Sequence, residues 1–108
     1  MRNFQKIRRI DNLGRVVIPA PIIYMLRLDS KDTVNITLQG DKFIIKKHIP
    51  NVSRFNNPIG LVRSLDNLNR VVLPKELRNE LCIYPDQQLS ISIIDDAIII
   101  EKVVEDAA

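Results

Sequence analysis

The stretch Asp11-Asn12-Leu13-Gly14-Arg15-Val16-Val17-Ile18-Pro19 returns 55 residues later as Asp66-Asn67-Leu68-Asn69-Arg70-Val71-Val72-Leu73-Pro74. The same offset, carried on without a gap, pairs Arg8 with Arg63, Leu26 with Leu81, Ile36 with Ile91, Asp41 with Asp96, Ile44-Ile45 with Ile99-Ile100 and Lys47 with Lys102. A register held over that length marks a tandem duplication, and a duplicated unit is the first thing that a fold assignment must respect.

Each copy spells the same string of elements. A short strand around Ile7 to Ile10 runs into a turn at Asp11 to Gly14, where Gly14 supplies a positive φ and its counterpart Asn69 is the next most tolerant residue. The β-branched run Arg15 to Ile18 reads as a second strand. Pro19 and Pro74 then open a helix, at the first-turn position where a missing N–H costs nothing. In the second copy Leu77 and Leu81 lie four apart among polar residues, so that helix buries a single stripe. A hairpin closes each copy: Val34, Ile36 and Leu38 alternate with polar residues, Gly40-Asp41 turns and Lys42 to Lys47 return, as do Leu89, Ile91 and Ile93, then Asp95-Asp96, then Ile98 to Ile100. The class is therefore mostly β with one short helix per repeat, each repeat β-β-α-β-β.

The repeats occupy residues 1–48 and 61–108, with 49–60, rich in Pro, Asn and Gly, as a linker. A chain of 108 residues, 45% hydrophobic and 27% charged, has a globular composition. One repeat is too small to bury enough apolar area by itself, so two are expected to pack together. The linker is long enough for them to do so within one chain, as an intrachain pseudo-dimer, and pairing between chains is equally open.

Cys82 is the single cysteine, which excludes an intrachain disulfide and suits a reducing, cytoplasmic setting. Met1 to Ile10 carries Arg2, Lys6, Arg8 and Arg9 with no apolar core, unlike a secretory leader, and the uncharged stretch nearby holds two prolines and is too short for a membrane span.

The net charge of +3 conceals a polarity. Residues 1–48 hold ten Lys/Arg against four Asp/Glu, a net of +6, whereas residues 61–108 hold five against nine, a net of −4. Lys6, Arg8, Arg9 and Arg15 cluster around the first turn, the footprint expected where DNA phosphates are neutralised and counterions released. The plainer alternative makes Arg8 and Arg9 decoration of a solvated strand, and Asp11 with Arg15, like Asp66 with Arg70, a local ion pair. Adjacent strand residues also face opposite ways, so at most one of Arg8 and Arg9 lies on a single DNA-facing surface unless the strand twists at its end.

With Asp11-x-x-x-Arg15 ahead of Val16-Val17-Ile18-Pro19, and the same pattern in the second copy, the chain resembles the AbrB/SpoVT/MazE family of swapped-hairpin DNA-binding domains. The resemblance implies a swapped-hairpin (double-split) β-barrel formed by the two repeats, and a transcription regulator or antitoxin bound to double-stranded DNA. It carries the basic contact positions onto Arg8, Arg9 and Arg15 and, in the second copy, onto Arg63, Ser64 and Arg70. Where such regulators place two helix arginines, this chain has Ile23 and Tyr24 in the first copy and Arg78 with Asn79 in the second. The tandem Asp-x-x-x-Arg is similar to the MraZ regulators as well, whose copies are larger.

DNA-binding candidates are thus Lys6, Arg8, Arg9, Arg15, Arg63, Arg70 and Arg78. A second reading is an antitoxin-like or oligomerising module that binds a protein partner through the acidic second repeat or through the apolar run Ile22 to Leu26, with Ile23, Tyr24 and Met25 as its face; burial of that helix by the linker or the other copy is the alternative. Catalysis has little support. His48 has no nucleophile paired with it, no Cys/His spacing suits zinc, Gly14, Gly40 and Gly60 are too scattered for a phosphate loop, and Asp95-Asp96 reads as a hairpin turn. No cofactor or metal is expected.

Overall fold

A computed structural model of the chain describes residues 4–49 and 60–103. Most of the expected linker, residues 50–59, lies outside the described residues, as do Arg2 and Arg54. The first repeat comprises β1 (Phe4–Arg9), β2 (Arg15–Val17), α1 (Ala20–Met25), β3 (Thr33–Gln39) and β4 (Lys42–Lys47). The second comprises β5 (Leu61–Ser64), β6 (Arg70–Val72), α2 (Lys75–Glu80), β7 (Gln88–Ile94) and β8 (Ala97–Lys102).

The strands cross between repeats. Antiparallel β1 pairs with β7 of the other repeat, and β5 with β3, so each first strand leaves its own hairpin for that of its counterpart. The hairpins meet at β4 and β8, giving a six-stranded sheet of order β1-β7-β8-β4-β3-β5, while β2 and β6 form a separate two-stranded ribbon. At two points a residue faces its own equivalent: Ile44 opposite Ile99, and Val16 opposite Val71. A pseudo-twofold axis passes through both, which is the arrangement that a symmetric dimer would have with both halves on separate chains. The fold is the swapped-hairpin one.

One core lies between sheet and ribbon, built from matching positions: Ile10 with Leu65, Val16 with Val71, Ile18 with Leu73, Leu28 with Ile83, Ile36 with Ile91, Phe43 with Ile98 and Ile45 with Ile100 are all buried. The alternation read in the hairpins turns these side chains inward. At about 1.5 to 3 kcal/mol for each fully buried large apolar side chain, the interleaved core stabilises what neither half can bury alone.

Local details depart from the expected ones in instructive ways. The first strand runs Phe4–Arg9 instead of Ile7 to Ile10, because the partner hairpin offers six residues to pair with. Pro19 and Pro74 are not in the first helical turn: with ψ of 141° and 137° they are the extended residues just before it, and Pro21 takes the first-turn place in α1. Gly14 has φ +81° and Asn69 φ +59°, as the turns require, and the two-residue loops 40–41 and 95–96 join the hairpins. Lys47 Nζ donates to the Arg27 carbonyl at 3.0 Å and Lys102 Nζ to that of Cys82 at 3.5 Å, so the paired lysines secure the chain just past each helix.

One contact exchanges bulk between repeats. In one half Gln5 Nε2 donates to Ser90 Oγ at 2.7 Å; at the matching place Asn35 replaces Ser90 and Gly60 replaces Gln5. A Cβ on Gly60 would collide with Asn35 Oδ1 and come within 2.6 Å of the Ile36 carbonyl oxygen. The longer side chain has changed strands while the space has stayed constant.

Candidate nucleic-acid interface

The repeated turn is built around its aspartate. Asp11 Oδ1 accepts from the N–H groups of Leu13 (3.0 Å) and Arg15 (2.7 Å), and Oδ2 from Arg15 Nε (2.6 Å). Asp66 does the same for Leu68 (2.9 Å), the Arg70 N–H (2.8 Å) and Arg70 Nε (2.6 Å). The backbone closes the loop through Asp11 N–H to the Arg15 carbonyl and Gly14 N–H to the Asp11 carbonyl. Desolvation works against ionisation of both carboxyls. Hydrogen bonds from the arginine and leucine N–H groups, together with the guanidinium charge, outweigh it and hold Asp11 and Asp66 below their ordinary 3.8.

The local ion pair that was one reading of Arg15 and Arg70 is therefore present. It does not exhaust either residue, since among the described residues only Nε is engaged and each side chain keeps about a third of its surface exposed (30% and 28%). Both terminal amino groups retain their donors.

The turns are locked to the opposite repeat. Leu73 N–H donates to the Gly14 carbonyl at 2.9 Å and Ile18 N–H to that of Asn69 at 2.8 Å, which extends the β2–β6 ribbon at both ends. Its inner face is Val16 and Val71, each 1% exposed. Strand alternation puts Arg15, Val17, Arg70 and Val72 together on the outer face, with Arg15 opposite Val72 and Val17 opposite Arg70. Thus two buttressed arginines from distant parts of the sequence share one surface.

The other candidates occupy different settings. Arg8 and Arg63 occupy matching places on the two outermost strands, and each donates from Nη1 to the carbonyl of the residue before it, Ile7 (3.1 Å) and Val62 (2.8 Å). Arg9 points the other way and joins Asp86, donating to its carbonyl at 3.0 Å and lying 3.5 Å from its carboxylate. Lys6 is exposed on β1. Arg78 is drawn inward: Nε donates to the Leu73 carbonyl at 2.7 Å, and the guanidinium lies against Gly14 of the other repeat, where it would collide with any Cβ. Its counterpart Ile23 packs on the core, as does Leu26, and Ile22 is fully buried, whereas Tyr24 is 86% exposed. The apolar helix is thus divided between core and solvent.

Sequence reasoning missed Val17 and Val72 as surface residues and the pairing of Arg9 with Asp86. Strand alternation in the run Arg15 to Ile18 was a usable signal for the valines, because a buried Val16 turns its neighbours outward. Nothing local in the sequence joins positions 9 and 86. Among the described residues no group of His, Cys, Asp and Glu could hold a metal ion, and no helix is long and apolar enough to cross a membrane.

Comparison with known proteins locates this arrangement. A family model described as "Antidote-toxin recognition MazE, bacterial antitoxin" matches residues 7–52 and again 62–107. The transition state regulatory protein AbrB of Bacillus subtilis (strain 168) is 38% identical over 53 residues, 49% of this chain and 55% of its own length. Abh of the same organism is 36% identical over 50 residues, 46% of this chain and 54% of its own. The chain spans about half the length of the curated relatives it matches. The solution structure of PHS018 from Pyrococcus horikoshii superposes with a TM-score of 0.52 over 94% of this chain and 95% of that one; at 15% identity the likeness is one of fold.

Proposed function

Given that the chain belongs to the MazE antitoxin family, matched once in each repeat, and is not an enzyme, we propose that it is a DNA-binding transcriptional regulator acting in the cytoplasm, with both repeats of one chain forming a single binding surface. The observation that carries this reading is the pair of arginines, Arg15 and Arg70, held by aspartates on the outer face of one ribbon. A guanidinium fixed through Nε loses less freedom on meeting a phosphate, and its fork suits bidentate pairing. Arg8 and Arg63 extend the basic surface, whereas Arg9 turns its terminal Nη1 to Asp86, unlike Arg15 and Arg70, which meet their aspartates through Nε, and Arg78 serves the contact between repeats. The relatives AbrB and Abh support a regulator by their names.

Titration of a fluorescent duplex at low salt tests this. Arg15→Gln/Arg70→Gln should bind at least about tenfold more weakly, since a charge-assisted contact is worth about 1.5 to 3 kcal/mol. Equal affinity for wild type and variant would move the site elsewhere.

A second reading has one observation in its favour. Tyr24, 86% exposed, and Met25, 47% exposed, project from α1 where the second repeat has Asn79 and Glu80. An antitoxin-like protein partner or a second copy would dock there. Tyr24→Glu should then abolish the complex and leave the fold intact; an unfolded variant would defeat this reading.

A further inference from the structure

Beyond charge, the ribbon carries an apolar pattern, and we propose that Val17 and Val72, with Leu13 and Leu68 at the two ends, read the methyl groups of thymines in the major groove. This rests on the duplex-binding reading above and adds to it the base chemistry that the surface recognises.

Three observations converge. Val17 and Val72 are 38% and 36% exposed on the face that also bears Arg15 and Arg70, where strand alternation turns all four away from the core. Leu13 and Leu68 are 65% and 63% exposed, and they are not loose: each N–H is held by the turn aspartate, at 3.0 and 2.9 Å. All four positions are duplicated, so the exposure belongs to the design of the unit and not to one divergent copy. A large apolar side chain presented to water from a hydrogen-bonded turn, beside a buttressed arginine, suits a partner that is anionic at its rim and apolar at its floor. The major groove has that character wherever thymines lie, and it is wide enough for a two-stranded ribbon.

The dimensions agree. From Gly14 to Ile18 the ribbon advances four residues, roughly 14 Å at about 3.4 Å each, or about four base pairs. Arginine reaches farther than valine, so Arg15 and Arg70 meet phosphates on the groove walls while the valines approach the base edges. Leu13 flanks the Gly14 end and Leu68 the Asn69 end. Recognition of this kind favours A/T-containing sequence without demanding a fixed word, because a methyl contact distinguishes thymine but gives no directional hydrogen bond.

The test compares an alternating dA–dT duplex with the same duplex carrying deoxyuridine for thymidine, which removes only the methyl groups. Wild type should bind the thymine duplex more tightly, by about fourfold for each methyl that becomes buried. Val17→Ser/Val72→Ser removes the apolar γ-methyls from the groove-facing positions, and in that variant the ratio between the duplexes should fall below the wild-type ratio, with circular dichroism confirming that it is folded; an unchanged ratio in the folded variant overturns the role of the valines. If wild type binds both duplexes equally, and that binding weakens with salt, the thymine inference is overturned and the duplex-binding reading stands. If wild type binds neither duplex, both fall.

Discussion

Replacing Gly14 by alanine probes the joint between the repeats. Gly14 has φ +81°, and a Cβ there would stand 2.7 Å from the Arg78 terminal nitrogens. Two separable costs follow. Holding alanine in the left-handed region costs about 1 to 2 kcal/mol. Displacing Arg78 forfeits its 2.7 Å hydrogen bond to the Leu73 carbonyl, about 1 to 2 kcal/mol for a partly buried charged donor. Gly14→Ala should therefore destabilise by about 2 to 4 kcal/mol, and each kcal/mol lowers the Tm of a domain this size by about 4 to 8 °C. In an Arg78→Ala background only the backbone cost remains, so the same substitution should cost about 1 to 2 kcal/mol. Urea denaturation of wild type, both single variants and the double variant measures the difference as a coupling energy. An identical loss in both backgrounds would refute the contact, and with it the claim that α2 of the second repeat secures the turn of the first.

Other expectations concern the seam, the acid limit and the exposed helix. Gly60→Ala should destabilise by about 1 to 3 kcal/mol, because the added methyl meets the Ile36 backbone oxygen and the Thr37 side chain, neither of which yields easily; thermal unfolding reads this. Asp11 and Asp66 have folded pKa values below 3.8, so the stability they add is complete above that value and is lost as pH falls through the lower folded values. Asp11→Asn/Asp66→Asn should accordingly show a shallower loss of stability than wild type as pH falls below about 3.8, followed by denaturant midpoints. Tyr24→Glu should change stability by less than about 0.5 kcal/mol, because the ring contributes little to the core; a larger loss would mean that α1 packs more closely than its exposure indicates.

Much of the fold was legible because the decisive residues are local. The turn Asp11 to Gly14 declares its geometry through an aspartate, a residue tolerant of positive φ and an arginine four places on, and its return at Asp66 announces the second unit. The hairpins were legible for the same reason, since alternation over Val34 to Leu38 and Leu89 to Ile93 reflects one buried face. Contacts that cross the pseudo-twofold were not. Gln5 with Ser90, Arg9 with Asp86 and Arg78 with Gly14 join residues more than sixty positions apart, and their complementarity consists in size or charge traded between repeats, which no periodicity records. The sequence offered the aspartate partners of Arg15 and Arg70 and the opposite facing of Arg8 and Arg9, but not which arginines share a surface. It is the ribbon pairing that places Arg15 and Arg70 on one surface and the Asp86 loop that engages Arg9.

The central claim, that the two repeats of one chain present paired arginines to duplex DNA, is tested most directly by the salt dependence of affinity. With Arg8, Arg15, Arg63 and Arg70 each meeting the duplex, at about −0.9 per contact, the slope of log affinity against log salt should be about −3.6. Arg15→Gln/Arg70→Gln should halve it to about −1.8. A wild-type affinity that does not change with salt, or a slope that the double substitution leaves untouched, would contradict the account.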